Sequence, residues 1–150
     1  MTADRSATEL FGTARVVRLA TVDPTGRPHL VPMVFAVVDD VIYSAVDAKP
    51  KRHGALRRLT NIAREPRVAI LADHYDEDWT RLWWVRADGT ARVLDPARDA
   101  AEIRTALDAL RARYPQYRET PPPGPVLAVD VHRWSAWSGD GGSEHAAPRS

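Results

Sequence analysis

The sequence predicts a mainly β chain: an antiparallel barrel of six to seven strands with two or three short flanking helices. Three observations point there. Apolar, β-branched runs recur along the chain, separated by short turn sequences. These runs do not alternate with long helices, as a doubly wound parallel sheet requires. Neither a Gly-x-Gly-x-x-Gly nor a Walker phosphate loop is present.

Taken in order, residues 6–14 read as an opening helix, with Ser6 and Glu9 at capping-box spacing and Gly12 marking its end. VVRLATV (16–22) is a strand that stops at the turn Asp23-Pro24-Thr25-Gly26. HLVPMVFAVV (29–38) is the second strand, Asp39-Asp40 its turn and VIYSAV (41–46) the third, which together form a meander. Pro28 and Pro32 cannot donate to a ladder, so the second strand belongs at a sheet edge. The same open ladder would let a flat ligand approach the backbone of Met33 and Val34. Residues 54–63 form an amphipathic helix, with Ala55, Leu56, Leu59, Ile62 and Ala63 on one face and Arg57, Asn61 and Arg64 on the other. Arg58 falls at the margin. Pro66 ends this helix, and RVAILA (67–72) is a buried strand.

The acidic loop DHYDED (73–78) leads into WTRLWWVRADGTARVL (79–94), read as two strands around an Asp88-Gly89 hairpin. In that reading Trp79 and Trp83 share one face of a strand and Trp84 takes the other. Asp95 caps a helix with Pro96 at its first position, and Ala100, Ile103, Leu107, Leu110 and Tyr114 form its apolar stripe. PPPGP (121–125) is a stiff linker before the last strand, VLAVDVHRWSAW (126–137). The barrel domain is placed at residues 1–138, with 139–150 a flexible polar tail.

Length and composition narrow the function. A chain of 150 residues holds one domain with one substantial core. It has no cysteine, which excludes disulfides, thiolate metal sites and cysteine nucleophiles and suits a reducing cytoplasm. No apolar run approaches the ~18 residues of a membrane helix, and MTADRSATEL lacks the pattern of a signal peptide. Net charge is +1, yet residues 49–67 carry seven basic residues against the single acid Glu65. Both lysines of the chain, Lys49 and Lys51, lie in this segment. Concentrated positive charge on a near-neutral chain suits a discrete anionic ligand better than a nucleic-acid backbone.

A strand end at Ser44-Ala45-Val46, a loop with Lys49 and Lys51, and a helix carrying Arg57, Arg58 and Asn61 would together supply the convergent donors that a phosphate needs. The tryptophans of the 79–84 stretch suit a core or interface, or a stacking wall for a planar ring. His74, Asp76, Glu77 and Asp78 lack ligand spacing, so no metal site is expected. His29 and His132, in predicted strands, read as structural. No Ser/His/Asp arrangement is identifiable, so reactive chemistry would come from a cofactor.

LATVDPTGRPHLVPMVF, AVDAKPKR, LRRLTNIAREPRVAIL and DHYDEDWTRLWWVRADGTARV, in this order and spacing, resemble the split-barrel superfamily of pyridoxamine 5′-phosphate oxidase, over roughly residues 8–137. Within it, the chain is similar to the small branch of probable F420-dependent enzymes. The resemblance implies a homodimer of split β-barrels with FMN or the deazaflavin F420 at the subunit interface. The family's basic residue about eight before the helix-ending proline falls on Arg58. Lys49, Lys51, Arg57 and Asn61 become candidates for the cofactor's phosphate or acidic tail. Pro32, Met33 and Val34 would lie along the ring, with Ser44, Ala45 and Val46 near the ribityl chain. Two positions depart from the family pattern: its asparagine before proline is Glu65 here, and its phosphate-side lysine is Arg58. The terminal Arg-x-His and Arg-Leu-x-Pro pattern of true pyridoxamine phosphate oxidases is absent, so vitamin B6 oxidation is not expected.

The implied activity is hydride transfer between F420 and a small unsaturated or quinone-like molecule. The alternatives are an FMN-dependent reductase or oxidase of the same fold and a non-catalytic F420- or flavin-binding protein. A nucleic-acid-binding barrel is disfavoured by the neutral net charge, and no membrane partner is expected.

Overall fold

A computed structural model describes residues 2–46, 53–140 and 145–148. The chain runs α1 (Thr2–Thr13), β1 (Val17–Val22), β2 (Pro28–Met33), β3 (Ala36–Val38), β4 (Val41–Ala45), α2 (His53–Arg64), β5 (Arg67–His74), a 3-10 turn at Trp79–Arg81, β6 (Trp83–Val93), α3 (Ala100–Arg113), α4 (Pro115–Glu119), β7 (Val126–Ser138) and β8 (His145–Pro148). All strand pairings are antiparallel, in the order β2-β1-β5-β6-β7-β4-β3, with β8 added to β7. The mainly β class and the split barrel are as the sequence implies.

The edge strands β2 and β3 are joined by Val34 and Phe35 alone. Three Cα steps of about 3.8 Å span at most about 11 Å, so the two edges meet and the sheet must curl into a barrel with one open seam. The single second strand read at 29–38 is therefore two strands. Its first half pairs with β1 and its second with β4. The uninterrupted apolar pattern hides the corner, because both halves bury side chains.

The barrel interior is filled from every wall by Leu19, Met33, Ile42, Ile70, Val85 and Val129, with Phe11 of α1 and Ile62 of α2 in the same cluster. Phe11 meets Phe35 and Trp134 edge-on, each with ring centroids 5.1 Å apart. A second cluster lies outside the barrel, where Ala106, Leu110 and Tyr114 of the α3 region cover Tyr43, Ala45, Val126 and Ala128. Leu127 and Val129 of β7 point inward while Val126 and Ala128 point to α3, which is why VLAV is a continuous buried run.

Several local expectations change. The opening helix starts at Thr2, so Ser6 and Glu9 lie inside it rather than at a cap, and Gly12 sits in its last turn. Asp88-Gly89 is not a hairpin, because β6 continues through it and pairs with β5 and β7 on either side. The register against β7 shifts there, and a Cβ on Gly89 would come within 2.4 Å of the Asp130 carbonyl oxygen. Glycine serves close approach in this bulge rather than a turn. Trp79 lies in the 3-10 turn and not in the strand of Trp83 and Trp84. The third helix begins at Ala100, and Asp95 instead holds a preceding turn by accepting the N–H groups of Ala97 and Arg98. Four residues of the expected polar tail, His145–Pro148, pair with Arg133–Ala136.

Other turns follow the sequence. Asp23 accepts the Thr25 and Arg27 N–H groups at 2.9 Å each, and Gly26 takes φ +86°. Asp39, at φ 55°, makes the tight β3–β4 turn.

Candidate functional site

The seam opens onto a cleft of about 610 Å³. One wall is the end of β2 and the corner after it, Pro32, Met33 and Val34, with Ala45 from β4 and Arg58 from α2. The facing wall is Tyr114, Gln116, Tyr117, Glu119 and Thr120, from the end of α3 and from α4. The volume lies within the range of small-molecule sites.

The corner is tied down on several sides. Ser44 Oγ donates to the Val34 carbonyl at 2.7 Å, linking β4 to the corner. The Tyr114 hydroxyl accepts the Phe35 N–H at 3.1 Å, and its oxygen lies 3.0 Å from the Arg15 carbonyl and 3.1 Å from that of Phe35. These bonds satisfy the backbone groups that neither edge ladder reaches. Arg113 lies 4.7 Å over the Phe35 ring and donates to the carbonyls of Gly12 and Ala14, capping the end of α1. Arg118 does the same for α3, donating to the Arg111 and Ala112 carbonyls and so fixing α4 as a wall.

Arg58 is the cation among the described residues that line the cleft. It makes no salt bridge among the described residues, and its buried Nε has no hydrogen-bond partner. Burial pushes its pKa below the ordinary arginine value, although a guanidinium remains charged at any pH the fold survives. A partly buried cation with no protein counter-charge is costly to maintain. It is what an anion-binding site requires.

The structure brings together Pro32, Met33, Val34, Ala45 and Arg58 of the residues singled out in the sequence. Ser44 is 1% exposed and braces the corner from behind. Val46 is buried, with its N–H on the Pro125 carbonyl at 2.8 Å. Asn61 is also 1% exposed and donates to Thr21 Oγ1 at 3.0 Å, so it faces the barrel wall and not the cleft. Arg57 is exposed outside the lining residues. Lys49 and Lys51 lie outside the described residues.

The profile for pyridoxamine 5′-phosphate oxidase matches residues 4–138. The chain belongs to that family. Among solved structures it is similar to a conserved hypothetical protein, Rv2991, from Mycobacterium tuberculosis, at 24% identity and TM-score 0.71, covering 93% of this chain and 86% of that one. It is also similar to a FAD-binding protein from Mesorhizobium loti (19% identity, TM-score 0.67, 88% and 91% covered). A third likeness is to HutZ, the heme storage protein of Vibrio cholerae (16% identity, TM-score 0.68, 90% and 93% covered). At these identities the likeness carries the fold. Among curated proteins, none matches the chain.

The α4 wall was not foreseen. Tyr114 reads in the sequence only as the end of a helical stripe, and YPQYRET gives no local sign that it reaches the β2–β3 corner. A second hollow of about 380 Å³ lies on the outer face of β5, β6 and β7, lined by Leu71, Trp83, Trp84, Trp137, His74 and Arg86 among others. Arg86 stands 5.9 Å from the Trp84 ring centre. His74 Nε2 lies 3.9 Å from Asp76 Oδ2, and no group of three metal-ligating side chains occurs among the described residues. His132 Nε2 lies 2.7 Å from Thr90 Oγ1, whereas His29 keeps a buried, unpartnered Nδ1. No helix among the described residues is long and apolar enough to cross a membrane.

Proposed function

We propose that the cleft binds a phosphate-bearing flavin-type cofactor, coenzyme F420, and that the protein is an F420-dependent oxidoreductase of a small unsaturated or quinone-like molecule. The observation that carries this reading is Arg58, a partly buried cation without an ion-pair partner among the described residues, in the lining of a 610 Å³ cleft. Family membership supports a cofactor of this kind, and the FAD-binding relative binds one. When bound, the deazaflavin ring supplies hydride exchange. The chain itself holds the phosphate through Arg58 and lays the Pro32–Val34 wall along the ring. No side chain need act as acid or base. In the sequence, Lys49, Lys51 and Arg57 stand near Arg58 and amount to more positive charge than one terminal phosphate needs, which suits the phosphodiester and polyglutamate tail of F420 over FMN.

The test is a titration of the purified protein with F420 and FMN side by side. F420 should bind more tightly by at least about tenfold, roughly 1.4 kcal/mol. Equal or tighter FMN binding would favour an FMN-dependent reductase or oxidase. Binding without turnover of any quinone would leave a cofactor-binding protein, and failure of both cofactors at micromolar levels would end this reading.

We also propose a homodimer with the cofactor at the subunit interface. Leu30 is 67% and Trp79 68% exposed, and the half-buried Trp84 and Trp137 line a hollow beside the exposed Leu71, apolar side chains that a partner subunit would cover. Light scattering should give twice the 16.7 kDa of one chain, and a monomer at micromolar concentration would overturn the proposal. The absence of cysteine suits a reducing cytoplasm.

A further inference from the structure

Five side chains among the described residues keep a buried polar atom without a partner, and three of them, with His29 Nδ1, Arg58 Nε and Asn61 Oδ1, stand on adjoining elements, β2 and α2 either side of Thr21 on β1. Arg58 and Asn61 are three residues apart on α2, which places them as neighbours one turn apart. Asn61 is bonded to Thr21, and Thr21 stands directly opposite His29 in the β1–β2 register. Opposed residues of an antiparallel pair share a face with Cβ atoms about 5 Å apart. The corner between α2 and the β1–β2 ribbon thus holds one obligate donor, the Arg58 Nε–H, one acceptor, Asn61 Oδ1, and one imidazole nitrogen able to play either role. Buried polar atoms are rarely left unpaired, and internal water with about three partners is the usual remedy.

We propose that Asn61 and His29 are positioning residues for Arg58. A single internal water, shared by Arg58 Nε, Asn61 Oδ1 and His29 Nδ1, fixes the guanidinium so that its terminal nitrogens meet the phosphate of the ligand. This rests on the reading of the cleft as a phosphate-bearing cofactor site, and it gives Asn61 a role without contact to the ligand. It also explains a fully buried asparagine on a helix whose basic neighbours face solvent or the cleft.

The experiment compares ligands with and without the phosphate: FMN against riboflavin, and F420 against its phosphate-free deazariboflavin core. The ratio of the FMN and riboflavin dissociation constants reads the phosphate contact alone, and the F420 pair reads phosphate and acidic tail together. Thr21→Val/Asn61→Leu replaces both partners of the buried bond by apolar groups of similar shape, which keeps folding intact. His29→Leu and the conservative His29→Gln test the third partner. In the wild type the phosphate-bearing form should bind at least tenfold more tightly. Thr21→Val/Asn61→Leu and His29→Leu should each cut that ratio at least threefold, with affinity for the phosphate-free form within twofold of wild type and His29→Gln largely restored. On an Arg58→Ala background the same changes should have no further effect on the ratio.

An unchanged ratio in both variants, or equal weakening of both ligands, would overturn the positioning role while leaving the cleft reading intact. A wild-type ratio near one would overturn both. If the double variant fails to fold, the His29 pair alone decides.

Discussion

Two arginines of this molecule face opposite circumstances. Arg92 on β6 is fully engaged: it donates to Glu102 through two nitrogens at 3.1 and 2.9 Å and to Asp130 at 2.8 and 3.1 Å. Glu102 in turn accepts the Tyr43 hydroxyl at 2.8 Å, so one network pins α3 to β4, β6 and β7. Arg58 on α2 is more deeply set, yet it has no anionic partner among the described residues. The first arrangement satisfies every charge internally and serves the fold. The second leaves a charge unsatisfied, and a stable fold keeps such a group only where something outside the chain completes it. Abundance of arginine therefore says little here; pairing separates a structural arginine from a ligand-binding one.

Removing each arginine breaks the comparison most directly. Arg92→Ala leaves Glu102 and Asp130 facing each other without a cation. With the network about one-third exposed, the loss should be roughly 2 kcal/mol of unfolding free energy, read by urea denaturation, with cofactor affinity unchanged. Arg58→Ala should do the reverse, weakening F420 or FMN binding by roughly 1–3 kcal/mol in a titration. Its stability should stay within about 0.5 kcal/mol of wild type, and Arg58→Met should melt no lower than wild type because a desolvated charge is gone.

The pH dependence sharpens the contrast. The hydrogen bonds of Arg92, ahead of all other causes, hold the Glu102 carboxyl below its ordinary value of 4.5. Its stabilising contribution is present above that value and is lost as pH falls through the lowered folded value. Burial, followed by the Glu102 bond, pushes the Tyr43 phenol up to about 12 from 10.0. That contribution is complete below pH 10 and is lost as pH rises through about 12. Glu102→Gln should flatten the acid limb of a stability–pH curve, and Arg58→Ala should leave both limbs as in wild type. The smallest effect expected is that of Tyr43→Phe, a loss of about 1 kcal/mol with the alkaline limb flattened and ligand binding unaltered.

Much of this was legible in the residues. Strand 17–22, its Asp23–Gly26 turn, helix α2 with its stop at Pro66, strand β5 and the long final strand all follow from local pattern and turn chemistry. The basic segment was visible as charge density, and Arg58 within it as a position carried over from a resemblance. Whether Arg58 was paired was not visible, because its counter-charges would have to come from residues distant in sequence. Asn61 shows the same limit from the other side. On a helical wheel it belongs with Arg57 and Arg64, yet it is pegged to Thr21 inside the protein.

The sequence by itself determined the β class, the absence of thiol chemistry, the placement of Pro28 and Pro32 on an edge strand and the concentration of positive charge in residues 49–67. These depend on backbone sterics, side-chain period and composition, which act over a few residues. Tertiary structure alone decided that residues 29–38 break at Val34–Phe35 to join opposite edges of one sheet. It likewise decided that Asp88-Gly89 is a bulge, and that Tyr114 crosses from α3 to hold the corner and form a wall of the cleft. In each case the local signal was compatible with two outcomes. The choice fell to contacts more than 40 residues apart in sequence: Gly89 against Asp130, and Tyr114 against Phe35.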